Sequence, residues 1–264
     1  MSGDQEVFGW RPAVRGDPLD LGTAPVLPKP RSLIGAHAAT GRLNALEIRL
    51  FNLLLAESWS RPGGENSACN SAPAALLRRA AGRWSEDRND ELRAALLRLA
   101  TTDLRWPGMA EDPAPAPIFP ALVEGDVPAR SPDAYWRLAP PVAAALLDVP
   151  VWAPVRLDVC ARLHGRNALT LYELLAARMN LRRPVWQVGV GRLRTYLGAE
   201  NSYPGFGQFR NSLLEPALRA IAERADLIAR ADPVKERSGS RVVSVRFHIT
   251  RQPVPGGDRD PRAG

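Results

Sequence analysis

Cys160 and His164 stand four residues apart, the spacing that puts two metal donors on one face of a helix, but two donors do not complete a zinc site. Cys69 and His37 have no partner at metal spacing. The chain holds no His-x-His pair, no Walker-type glycine loop ending in Lys-Ser/Thr, no Gly-x-Ser-x-Gly elbow and no His-Glu-x-x-His. Gly189-Val190-Gly191 lacks the third glycine of a phosphate-cradling loop and suits a turn. Tyr172 and Tyr203 would be candidates for nicking DNA, yet without a histidine pair to hold a divalent ion that chemistry has no electrophilic help. Tyr172, inside Leu171-Tyr172-Glu173-Leu174-Leu175, reads as packing, and Cys160 as a small core hydrophobe. The expectation is therefore a protein that is not an enzyme, with no catalytic residue, no metal and no cofactor.

The side chains that remain are arginines, which make up all but two of the 35 basic residues; the two lysines are Lys29 and Lys235. Abundant arginine, alanine and proline fit a GC-rich coding sequence, so the distribution says more than the total. Residues 1–155 sum to −2, residues 156–250 to +8 and residues 251–264 to +1. Charge concentrated beside a nearly neutral segment suits a surface for a polyanion, with nucleic acid the leading partner, whereas an ordinary solvated basic surface is the plainer alternative. On a recognition helix over 206–224, Gln208, Asn211, Glu215 and Arg219 lie about opposite the apolar stripe, flanked by Arg210 and Ser212. Arginine forks match phosphates or guanine edges, and Asn or Gln can bond adenine bidentately. Arg192 and Arg194, on a short preceding helix, would lie against the phosphate backbone, and a hairpin tip offers Lys235, Arg237 and Arg241.

The elements that must position these residues follow from periodicity. Leu43, Leu46, Leu50, Leu53 and Leu54 define a helix from Leu43 to Glu57, and Asn70 or Ser71 is placed to cap a second helix over Pro73–Ala81. Ser85 opens the capping sequence of a third, with Leu92, Leu96 and Leu99 in one stripe. Short strands are expected at Leu104–Trp106, Ile118–Val123 and Ala134–Leu138, pairing as a small sheet around a proline-rich loop at 109–117, before a helix at Pro141–Leu147. The second half repeats this order: a helix over Arg156–Arg178, a strand at Val185–Val188, a helix at Gly189–Leu197 and an amphipathic helix at Phe206–Arg224. That last helix carries Phe209, Leu213, Ala217 and Ala220 on one face. Strands at Asp226–Val234 and Arg241–Thr250 close it, the latter alternating Val243, Val245, Phe247 and Ile249 with Ser244, Arg246, His248 and Thr250. Helix, helix, helix, hairpin is a winged helix, and its recurrence suggests a structural duplication. The expected fold is α+β: a disordered proline-rich arm (1–34), a first winged-helix domain (35–150), a second (151–250) and a flexible tail (251–264).

Over residues 35–250 the chain resembles the plasmid replication initiators with two tandem winged-helix domains. The resemblance is strongest in Leu171-Tyr172-Glu173-Leu174-Leu175, in Val190-Gly191-Arg192-Leu193-Arg194-Thr195-Tyr196-Leu197-Gly198, and in Phe209 through Ala217 with Tyr203 and Phe206 before it. It continues through Ile221, Asp226-Leu227 and Val245-Arg246-Phe247-His248-Ile249. The first domain matches more loosely, through Leu43–Leu55, Leu92–Leu99 and Tyr135-Trp136-Arg137-Leu138. The resemblance implies that the second domain binds double-stranded DNA at origin repeats, the iterons, and that the first handles dimerisation and auxiliary DNA contacts. It further implies that monomers initiate, that dimers repress their own promoter at an operator, and that the host initiator and replicative helicase are partners. The family usually has further basic residues where this chain has Asn211 and Ser212, and lysine runs where it has Glu236 between Lys235 and Arg237.

A winged-helix transcriptional repressor without initiation activity is the alternative. Two linked, dissimilar DNA-binding-type domains favour the initiator, and a protein-interaction module without DNA would predict no charge asymmetry. At 264 residues and 45% hydrophobic the chain can bury a real core. Two cysteines make no disulfide framework, no run of about eighteen apolar residues exists to cross a bilayer, and the N-terminus has acids where a signal peptide wants cations. A cytoplasmic protein with no membrane partner is expected.

Overall fold

The computed structural model describes residues 13–34, 37–38, 43–60, 69–82, 89–101, 104–105, 118–119, 123–126, 132–147, 152–237 and 239–254. In chain order, β1 (Val26–Pro30) and β2 (His37–Ala38) precede α1 (Ala45–Ser60). An Asn44/Glu47 capping box starts α1: the Asn44 side-chain oxygen accepts the Glu47 N–H at 2.9 Å, and Glu47 accepts the Asn44 N–H at 2.8 Å. Next come β3 (Asn70–Pro73), α2 (Ala74–Ala80) and α3 (Asn89–Thr101), followed by β4 (Leu104–Arg105), β5 (Ile118–Phe119), β6 (Val123–Asp126) and β7 (Asp133–Leu138). α4 (Pro140–Leu147), β8 (Trp152–Arg156) and α5 (Leu157–Arg162) lead to α6 (Arg166–Ala176). β9 (Val185–Gly189), α7 (Val190–Leu197), α8 (Phe206–Phe209), a π-helical turn over Arg210–Leu214, α9 (Glu215–Arg224), β10 (Leu227–Lys235) and β11 (Val242–Arg251) complete the chain.

The two halves share one topology. In the first, α1, β3, α2, α3, β6 and β7 form a helical layer on a three-stranded sheet ordered β3-β7-β6; in the second, α6, β9, α7, the α8–α9 unit, β10 and β11 do the same with order β9-β11-β10. The duplication suggested by the order of elements is therefore present in space. The reason is common to both: an apolar inward face, Ala134, Trp136 and Leu138 on β7 and its counterpart on β11, must be covered, and the helices cover it. On β11 the inward set is Val245, Phe247 and Ile249, all buried, against exposed Arg246, His248 and Thr250; the expected alternation fails at its start, where Val243 is exposed and Ser244 buried, because the ladder with β10 shifts register between Val234 and Lys235.

Five local expectations are corrected. Asn70 and Ser71 belong to strand β3, paired with Trp136 and Tyr135 of β7, rather than to a helix cap. The expected small sheet is two sheets, since β4 and β5 join β2 while β6 and β7 join β3. The helix predicted over 156–178 breaks at Leu163–Gly165, where Gly165 takes φ +92°, and becomes α5 and α6. The arm predicted as disordered is built into the fold from residue 13: β1 runs antiparallel to β8, Val26 opposite Arg156 and Pro30 opposite Trp152, with Leu27, Lys29, Leu33 and Ile34 buried. Its prolines are tolerated because β1 and β8 form a two-stranded ribbon, and on the outer edge of β1 the one described bridge is at Val26, to Arg15, away from Pro28 and Pro30. At the other end β11 continues through Arg251, and the Gln252 amide donates to the carbonyls of Ala222 and Ala225, so the tail is anchored as far as Val254. Residues 1–12, the loop at 109–117, Ser85, the domain boundary expected at 150/151 and residues 255–264 lie outside the described residues.

α1 is buried nearly all round, because it packs on α3 of its own half and on α5 and α6 of the other, so that one apolar core runs through both domains. Its polar residues cross that junction. Arg49 donates to the carbonyl oxygens of Ala81 (3.1 Å) and Leu163, and Asn52 donates to Glu173 Oε1 of α6 at 2.7 Å. Lys29 of β1, 2% exposed, donates to Asn52 Oδ1 at 2.8 Å and pairs with Glu173 Oε2 at 2.7 Å. Three segments distant in sequence thus meet on one buried ammonium.

Candidate nucleic-acid interface

Aromatic packing fixes the frame of the second domain. Trp186 of β9 stacks on Phe247 of β11 at 5.3 Å between ring centroids, with Tyr196 of α7 at 6.2 Å. Phe209 receives Tyr203 edge-on at 5.9 Å and Phe206 at 6.3 Å, which seats the start of the 206–224 helix on the turn before it. The expected helix over 206–224 is continuous but not uniform, since α8 passes through the π turn into α9 with helical dihedrals at every junction. Within that turn the Glu215 N–H donates to the Arg210 carbonyl, an i to i+5 bond. The cause is Pro216: it offers no N–H to the Ser212 carbonyl four residues back and its ring crowds that oxygen, a conflict that the wider turn relieves.

The inserted width also moves the apolar stripe. Phe209, Leu213 and Ala217 are buried as expected, but Leu214, Leu218 and Ile221 are buried with them, and Ala220 is only half-buried. Gln208, Asn211, Ser212, Pro216 and Arg219 lie on the exposed side, whereas Glu215, expected there, is half-buried on its flank. Gly205 and Gly207 at the helix start have open space where a Cβ would stand, and no side chain caps the first turn. Backbone N–H groups there are accessible to a closely approaching anion.

The ten residues singled out as DNA-binding do not all have the same surroundings. Gln208, Asn211, Ser212 and Arg219 share the exposed face of the 206–224 helix, with Arg210 held beside them by Glu215, Nε to Oε1 at 2.8 Å. Arg192 lies over the Tyr196 ring at 5.9 Å and its Nε donates to the Tyr196 hydroxyl at 3.2 Å. Arg194 stands apart: it donates to the Tyr203 carbonyl at 2.7 Å and its guanidinium sits 5.3 Å from the centre of Phe209. It therefore ties α7 to the turn that precedes α8. Lys235, Arg237 and Arg241 are exposed around the β10–β11 tip, which is closed by the Glu236 N–H on the Arg241 carbonyl at 2.9 Å.

The groups with other possible chemistry are occupied structurally. Tyr172 is fully buried; its hydroxyl donates to Asp226 Oδ1 at 3.2 Å and accepts the Arg156 N–H at 3.2 Å, and burial pushes its phenol well above the ordinary range. Cys160 is buried beside the Asn52 amide and its thiol is driven strongly upward by desolvation and by Glu173. Among the described residues no group of three or more His, Cys, Asp or Glu could hold a metal, and no helix is long and apolar enough to cross a membrane.

Sequence reasoning missed Glu215 as the partner of Arg210, although Pro216 within an otherwise helical run signals a distorted turn. It also missed Lys29, Arg49, Asn52 and Glu173, for which no local signal exists, because each pairs with residues more than twenty positions away.

Fold and surface together define a tandem winged-helix protein whose second domain carries an exposed helix face and a basic wing. That domain is similar to a known family: residues 190–249 match the one described as initiator Rep protein, WH2. The resemblance to the replication initiators seen in the sequence is thereby upheld for the second domain. Among solved structures the Pi initiator protein in complex with iteron DNA is similar in fold, with a TM-score of 0.63 and 13% identity, over 85% of this chain and 99% of that one. Domains 2 and 3 of RctB align with a TM-score of 0.48 and 14% identity, over 81% of this chain and 85% of theirs. Among curated proteins none matches this sequence.

Proposed function

We propose that the protein is a plasmid replication initiator that binds iteron repeats at its origin through the second domain and helps to open the duplex. The observation that carries this reading is the coincidence of the family match at 190–249 with the segment that presents α7, the exposed recognition face and the basic wing. The helix face reads the major groove, Arg192 and the first-turn N–H groups take phosphates, and Lys235, Arg237 and Arg241 extend the contact along the backbone. Binding several repeats and bending the DNA supplies the free energy for opening, so no active site is needed. In the same reading the first domain mediates dimerisation and auxiliary contacts, the dimer represses its own promoter, and the host initiator and replicative helicase are recruited in the cytoplasm.

The test is binding of the full-length protein to the repeats of its own replicon against random duplex, over a salt series, with Arg210→Ala alongside. Specific binding whose logarithm falls linearly with log salt, weakened about 5- to 150-fold in the mutant, is expected, a base contact being worth about 1–3 kcal/mol. Replication of an origin-bearing plasmid then separates an initiator from a repressor. Equal affinity for both duplexes refutes the assignment.

A further inference from the structure

Arg210 and Glu215 are five residues apart, a spacing at which side chains on a regular α-helix point about 140° away from each other. They meet only because the π turn sets residue i+5 over residue i: the Glu215 N–H bonds the Arg210 carbonyl, and the Arg210 Nε reaches Glu215 Oε1 at 2.8 Å. Both side chains are about four-tenths exposed, on the flank of the face that carries Asn211 and Ser212. Glu215 holds the Nε edge, and neither terminal nitrogen of Arg210 is engaged by another described residue. The contact restrains the guanidinium by its Nε edge and leaves its two terminal nitrogens for another partner.

We propose that Glu215 is a positioning residue that orients Arg210 for end-on, bidentate recognition of one guanine, so that the pair sets specificity at a single base pair of the bound site. This rests on the DNA-binding reading above. A base edge is the target because a carboxylate 2.8 Å from Nε repels a phosphate, whereas the O6 and N7 of guanine are neutral acceptors matched to the paired nitrogens. Pro216 belongs to the device, since it is what makes the turn wide enough for the pair to form.

The experiment uses full-length protein and the tightest duplex that it selects from a randomised pool. Each base pair is then changed singly, and guanines are replaced singly by 7-deazaguanine, for the wild type, Arg210→Ala, Glu215→Gln and the double variant. One G·C position is expected at which the change, or loss of N7, weakens wild-type binding at least 5-fold. That position becomes silent in Arg210→Ala, and its discrimination falls several-fold in Glu215→Gln, while the other positions and the salt slope stay as in the wild type. The double variant should match Arg210→Ala, as for two groups acting as one unit. Discrimination unchanged in Glu215→Gln, or an equal loss at every position, overturns this inference and leaves the function standing. Failure of the wild type to select any sequence overturns both. Pro216→Ala, which restores the missing N–H, should reproduce the Glu215→Gln pattern; a wild-type pattern there removes the π turn from the argument.

Discussion

Replacing Lys29 with methionine removes the ammonium but keeps most of the chain volume, and it leaves the Glu173 carboxylate, 2% exposed, with Asn52 as its remaining hydrogen-bond partner. Removing one partner of a buried ion pair costs about 3–5 kcal/mol, because the remaining charge stays desolvated and uncompensated. For a chain of this size 1 kcal/mol moves the midpoint of thermal unfolding by about 2–4 °C, so Lys29→Met should lower it by about 6–20 °C. Lys29→Met combined with Glu173→Leu removes both charges and should recover most of that loss. The assay is thermal and urea unfolding of the full-length protein followed by tryptophan emission. Trp59 and Trp152 meet edge-on at 4.9 Å, one on α1 and one on β8, and report on the same junction. A neutral Lys29→Met, or a double variant whose loss is the sum of the two single losses, would refute the view that β1, α1 and α6 are held together by this pair.

Gly82 takes φ +75°, and a Cβ there would lie 2.7 Å from the Ala161 carbonyl oxygen, so Gly82→Ala should destabilise by at least about 1 kcal/mol, as read by urea midpoint. Tyr172→Phe deletes a hydroxyl that bonds both Asp226 and the Arg156 N–H and should cost about 1–3 kcal/mol, with any DNA binding unchanged once the protein is folded. In native protein a maleimide should label exposed Cys69 and spare buried Cys160, which reacts only after unfolding; equal labelling rates would contradict the packing. The folded thiol of Cys160 and phenol of Tyr172 hold their protons to higher pH than the unfolded chain does. The unfolded state therefore binds fewer protons above about pH 8.5, and stability should fall as pH rises past the ordinary thiol and then phenol values, with none of this effect below. Cys160→Ala should remove the earlier part of that decline.

What the sequence determined by itself was whatever is periodic or local. The leucine spacing of α1 and α3, the alternation along β11 from Val245 to Thr250, the exposed positions Gln208, Asn211 and Arg219 opposite the stripe, and the charge step near residue 155 could each be read from neighbours within a turn or a strand, whereas Val243, Ser244 and Glu215 departed from the simple period. The duplicated winged helix followed from the order of such elements. Tertiary structure alone decided the rest, since it depends on partners that sequence spacing does not bring together. β1 looked like part of a loose proline-rich arm because its stabilising strand, β8, lies more than a hundred residues on. Lys29 gained meaning only when folding placed Asn52 and Glu173 within 3 Å of it. Arg194, which by helical spacing faces solvent, is drawn to the Tyr203 carbonyl by a turn that no period predicts. The Arg210–Glu215 pair shows the same limit at short range, for it exists only in a helix that has been widened around a proline, and the usual three- and four-residue rules assume a helix that has not.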